Sequence, residues 1–113
     1  GDQDLYQGCS QGNADRFWEN QGSPDFLLVD ASKDVFGRWQ NLHPNTGNAW
    51  GDFDRDGDLD IYVGNGEDWN DGNPIYYPDH FLRNDGGMTL TEVSSSTGIR
   101  TGEDFYSRGA TWV

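Results

Sequence analysis

Cations, cysteine and proline are all scarce in this chain of 113 residues. Lysine and arginine number 7 against 20 aspartates and glutamates, so the formal charge is −13. A surface of that sign repels phosphate backbones and anionic headgroups, which excludes nucleic acid and acidic membranes as partners. Cys9 stands alone, so no intrachain disulfide can form. It reads as a small buried hydrophobe rather than as half of an interchain bridge. No apolar run is long enough to cross a bilayer, which argues against membrane insertion. No signal peptide is present, and a mature exported chain would lack one too. Without an Asn-x-Ser/Thr triplet, N-glycosylation is not expected. The lack of sustained 3.6-residue periodicity excludes long helices. Missing as well are a Gly-x-Ser-x-Gly elbow, a phosphate-cradling loop and a dinucleotide fingerprint. His43 and His80 are far apart, with no cysteine or further histidine at ligand spacing, so zinc is not expected and His80 reads as structural.

What the chain does hold is aromatic area, glycine and regularly spaced acids. Only 33% of residues are hydrophobic and the mean hydropathy is −0.89, yet 14% are aromatic, five of them Trp. Large rings supply the apolar surface that the composition otherwise withholds. With 16 glycines among many Asn and Asp, turns are frequent, as in short-stranded all-β architectures. The expected strands are Leu5–Gln7, Arg16–Glu19, Phe26–Asp30, Ala49–Phe53, Leu59–Val63, His80–Arg83, Leu90–Ser94 and Gly109–Val113, with one helical turn around Ser32–Phe36. A chain of this length forms one small domain, burying about two-thirds of its unfolded surface.

The most informative stretch runs from Asp52 to Asp60: Asp52, Asp54, Asp56, Asp58 and Asp60 alternate with other residues, and Gly57 is sixth. Carboxylates so close repel one another unless a cation sits among them. Calcium suits them, being a hard ion that takes six to eight oxygens at about 2.3–2.6 Å in irregular geometry. Asp52, Asp54 and Asp56 can turn inward together, Gly57 allows the bend that returns Asp60, and Asp58 is expected to ligate through its backbone carbonyl. An EF-hand would need a glutamate at the twelfth position, where this chain has Val63. The flanks read as strands, so the loop is expected to join two strands of a hairpin around the ion.

From Asn48 to Val63, this segment resembles the FG-GAP/VCBS repeat, which builds calcium-bearing β-propeller blades in integrin α-chains and many bacterial surface proteins. The runs Phe81–Gly87, Leu90–Val93 and Thr97–Ile99 are similar to the rest of that repeat, in particular to its cartilage acidic protein-like (ASPIC/UnbV-associated) branch. The resemblance implies two all-β blades of short antiparallel strands, at about 1–63 and 64–113, and an extracellular or cell-surface location.

Internal repetition is visible independently. Residues 1–8 align with Gly57–Gly64 at an offset of 56; Phe17–Asn20 align with Phe81–Asn84 at 64, a spacing that Phe26 and Val29 keep with Leu90 and Val93; and Ala49–Trp50 align with Thr111–Trp112 at 62. A period of this size belongs to a blade-type repeat. The chain begins inside one such loop, with Asp2 and Asp4 at its seventh and ninth positions, and stops before the next. Out-of-phase units need neighbours, so the expected partners are further repeats or copies of the chain, joined head to tail in a ring or filament, with Trp112 and Val113 approaching Gly1–Leu5 of the next copy.

Between Asn65 and Asp79 lies an insertion carrying Trp69, Tyr76 and Tyr77. These rings suit the covering of an edge or interface, while beside Asp and Asn they also suit stacking on a sugar. Asp68, Asn70 and Asp71 are a weaker place for a second cation, since Gly72 is out of step with the loop template. Glu19, Glu67, Glu92 and Glu103 are the carboxylates from which a polysaccharide-cleaving pair would have to come. The regularly spaced acids are already accounted for by calcium, so the expectation is a non-catalytic structural or adhesive module. A carbohydrate-binding module stands second and an accessory part of a polysaccharide-acting enzyme third.

Overall fold

Strand alternation sorts the side chains into faces, and two of those faces meet to form the core. The computed structural model describes residues 3–10, 12–99 and 107–113. The first sheet holds β1 (Leu5–Gln7), β2 (Arg16–Asn20) and β3 (Leu28–Asp30), paired in that order. A short helix, α1 (Ser32–Phe36), leads towards the second sheet. There β4 (Asn45–Gly51), β5 (Asp60–Asn65), β8 (His80–Asn84) and β9 (Leu90–Glu92) pair in that order, and α2 (Ser94–Thr97) follows. Between β5 and β8 a separate hairpin is formed by β6 (Glu67–Asn70) and β7 (Asn73–Tyr76). Among the described residues every pairing is antiparallel, and these residues are mostly β, 39% strand against 9% helix.

In the first sheet Tyr6 lies opposite Phe17 and Leu5 opposite Trp18, so each pair shares a face. In the second, Ile61 lies opposite Leu82 and Tyr62 opposite Phe81. The core forms where the Tyr6–Phe17 face, with Val35 and Phe36 of α1, meets Ile61, Val63, Leu82 and Leu90. Phe36 packs edge-to-face on both Tyr6 and Phe17. Each fully buried side chain of this size contributes roughly 1.5–3 kcal/mol.

The repeat seen in the sequence recurs as repeated hydrogen bonds. The Tyr6 hydroxyl donates to Asp15 Oδ2 at 2.7 Å while Cys9 N–H donates to Asp15 Oδ1 at 2.7 Å. In the second sheet Tyr62 donates to Asp79 Oδ2 and Asn65 N–H to Asp79 Oδ1. Phe17 N–H reaches the Ser32 hydroxyl as Phe81 N–H reaches that of Ser94. Even the packing of the next strand recurs, Phe17 against Trp50 at 6.3 Å and Phe81 against Trp112 at 6.1 Å.

Several expectations need correction. The match of Phe26 and Val29 to Leu90 and Val93 slips by two residues: Asn20 pairs with Leu28 where Asn84 pairs with Leu90. The turn before β3 is longer, and a slip of two preserves the facing of every side chain. Residues 109–113 form no strand; they run beside β4 without ladder pairing, and Trp112 lies so close that a Cβ on Gly51 would be 2.5 Å from its ring. Within the insertion, where no strand is expected, Glu67–Asn70 and Asn73–Tyr76 form a hairpin turned by Asp71 and Gly72, both at positive φ (49° and 79°). Asp-Gly at the centre of a two-residue turn is a strong hairpin signal, here set among acids and amides. Cys9 is half-exposed, not buried.

Candidate metal centre and its surroundings

The loop at 52–60 owes its shape to its own carboxylates. Asp52 accepts from the backbone N–H of Asp56 and of Gly57, both at 3.1 Å, and Asp54 accepts from Asp56 N–H at 3.3 Å. Gly57 takes φ 97°, open to glycine at little cost, while Arg55 is held at φ 65°. Short side chains that bond to the backbone just ahead of them favour such turns over regular structure.

Asp60, the first residue of β5, is wholly buried. Its Oδ2 accepts from Phe53 N–H at 2.7 Å, closing the loop, and its Oδ1 accepts from Asn84 N–H at 2.9 Å, tying the loop to β8. The first unit repeats half of this: Asp4 Oδ1 accepts from Asn20 N–H at 2.9 Å. Asp2, its expected companion, lies outside the described residues.

The fold brings together carboxylate oxygens of Asp52, Asp54 and Asp60, all within 4.8 Å of one another. Asp56 and Asp58 lie outside this trio; the Asp56 carboxylate accepts from Asp58 N–H at 2.9 Å. Among the described residues it is the one group of three or more acidic, His or Cys side chains so arranged. Charges at such distances repel by about 1 kcal/mol per pair in water and more near a protein surface. The Asp54 carboxyl is accordingly raised above its usual range, by removal from water and then by the Asp56 charge. A site of oxygens alone fits a hard cation such as calcium or magnesium and lacks the nitrogen and sulfur donors that zinc prefers.

The insertion divides its aromatic residues. Trp69, opposite Pro74, shares a face of the hairpin with Glu67 and Tyr76 and is 61% exposed. Tyr77 instead stacks on His43, with ring centres 4.3 Å apart and planes at 19°. His43 also lies parallel to His80 at 6.4 Å, a proximity the sequence spacing hid. Burial, and then the neighbouring His80, lower the affinity of His43 for a proton. His80 faces Glu92 at 3.5 Å and packs edge-on against Trp39. Asp68 and Asn70 stand on the other face of the hairpin and Asp71 in its turn, and no second acidic cluster forms there among the described residues.

Two carboxylates at the centre of the polar packing have no distinctive spacing in the sequence. Asp15, buried, also accepts from the amides of Asn41 and Asn45 at 2.8 and 2.9 Å. Asp79 takes a further bond from the Ser107 hydroxyl at 2.5 Å. Asp15 immediately precedes β2 and Asp79 immediately precedes β8, each the sheet partner of the strand before it in the ladder, at the offset of 64 that also relates Phe17 to Phe81. Comparison with protein-family models, with curated proteins and with solved structures finds no match to the chain.

Proposed function

We propose that the chain is a calcium-stabilised structural and adhesive repeat module of an exported protein. It follows the FG-GAP/VCBS plan, with propeller-type blades that work beside further repeats or sister copies. The observation that carries this reading is the convergence of Asp52, Asp54 and Asp60 on one loop, with Asp60 also anchoring that loop to β8. An ion held there offsets the mutual repulsion of the carboxylates and stiffens the β4–β5 connection; the role is mechanical, not catalytic. Extracellular calcium modules bind at about 10⁻⁴–10⁻³ M, matched to the calcium outside cells. Binding to the folded state alone adds about 1–3 kcal/mol at saturation. Thermal melting with millimolar calcium against chelator tests this. We expect a higher melting temperature with calcium and no such shift in Asp54→Asn. A melting temperature indifferent to chelation in the parent chain would remove the ion from the proposal.

A carbohydrate-binding role is the second reading, favoured by the exposed Trp69 beside Tyr76. Tyr77, already stacked on His43, is the weakest of the three rings as a sugar platform. A glycan screen in which binding depends on Trp69 would favour this role over the mechanical one.

A further inference from the structure

Among the described residues, the contact between the two sheets has an exposed counterpart at each end of the fold. Inside, the second sheet presents Ile61, Leu82 and Leu90, all buried, to the Tyr6–Phe17 face of the first. The repeat places Leu5, Trp18 and Leu28 of the first sheet where the second has Ile61, Leu82 and Leu90. These three share one outward face; Leu5 is 48% and Leu28 45% exposed. At the other end, Tyr62 and Phe81 occupy the places of Tyr6 and Phe17. Beside them a groove of about 370 Å³, mainly apolar, opens between Phe53, Phe81, Ile99 and Trp112. Even the polar rim is repeated: the pair Arg16–Asp30 sits on the first sheet where His80–Glu92 sits on the second.

We propose that the Leu5–Trp18–Leu28 face of one copy docks into the Phe81–Trp112 groove of a second copy, as the two sheets meet within one chain. The occupant is a second copy because the internal interface shows the repeat-equivalents of these two surfaces fitting together. The contact is heterologous, so each copy keeps one free face and growth continues until a ring closes or a filament forms. This deepens the repeat-module reading and rests on its repeat element, not on its ion.

Sedimentation velocity of the full chain in calcium, across a range of concentrations, is the test. The parent chain should gain mass with concentration. A Leu5→Asp/Leu28→Asp variant, altered only at exposed positions, should associate roughly thirtyfold or more weakly, as expected when a central apolar contact is lost. Ile99→Asp should do the same from the opposite face. Each variant retains one competent face, so mixing the two should give one-to-one dimers and nothing larger. A parent chain that stays monomeric throughout, variants that associate as the parent does, or a mixture without dimers would each overturn the proposal. Melting with and without calcium, run on the same samples, reads the ion separately. Association that persists without a calcium shift would refute the calcium reading and leave the docking intact.

Discussion

Asp60 and Asp54 lie in one loop and face opposite demands. Asp60 is buried with both oxygens accepting backbone N–H groups, so its charge is satisfied before any cation arrives. Asp54 is exposed, and its carboxyl is raised by loss of water contact and by Asp56, so its charge is resisted until a cation arrives. In chelator, Asp60→Asn should destabilise the fold by about 2–3 kcal/mol, because an amide turns a donor towards one of the two N–H groups. Asp54→Asn should be neutral or slightly stabilising there and should lose the gain from calcium. Urea denaturation in chelator separates them, and equal losses would contradict the division of labour. The sequence announced these positions through alternation around Gly57. It gave no sign of the second task of Asp60, whose partner Asn84 lies on another strand. Asp15 and Asp79 stayed hidden for the same reason: a clamp made across a fold has no local spacing to betray it.

Short strands are most legible in the sequence where alternation and an aromatic coincide. Leu5–Gln7 and the helical turn Ser32–Phe36 lie where the residues placed them, and β2, β5 and β8 differ only at their ends. The expected strand at 109–113 failed because edge hydrogen bonds need a partner, and no described strand pairs with it. The hairpin of β6 and β7 is not legible in the sequence because its Asp-Gly turn sits within a run of acids and amides that reads as loop. That turn has a cost attached to its shape. Gly72 at φ 79° meets nothing within 4 Å of an added Cβ, so Gly72→Ala tests conformation without a clash. About 1 kcal/mol should be lost, seen as roughly fivefold faster amide exchange within the hairpin, with β5 and β8 unaffected. Unchanged exchange would mean that the register is held by side chains and not by the turn.

The whole molecule is elongated, 50 × 29 × 27 Å, and carries a formal charge of −13. Composition alone foretold a small β-rich chain, but it could not foretell that the two sheets stack face to face, since that depends on long-range register. Copies meeting end to end bring like charges together, so added salt should strengthen association by screening them. Sedimentation at low and at physiological ionic strength checks this, and weaker association in salt would point to a contact made by ion pairs instead of by apolar faces. The Tyr6–Asp15 and Tyr62–Asp79 clamps each join a strand to the residue that precedes its neighbour in the same sheet. A stretch that carries both members of its clamp can be duplicated or deleted in a gene without separating tyrosine from aspartate, so the length of such an array is free to vary by whole units over descent.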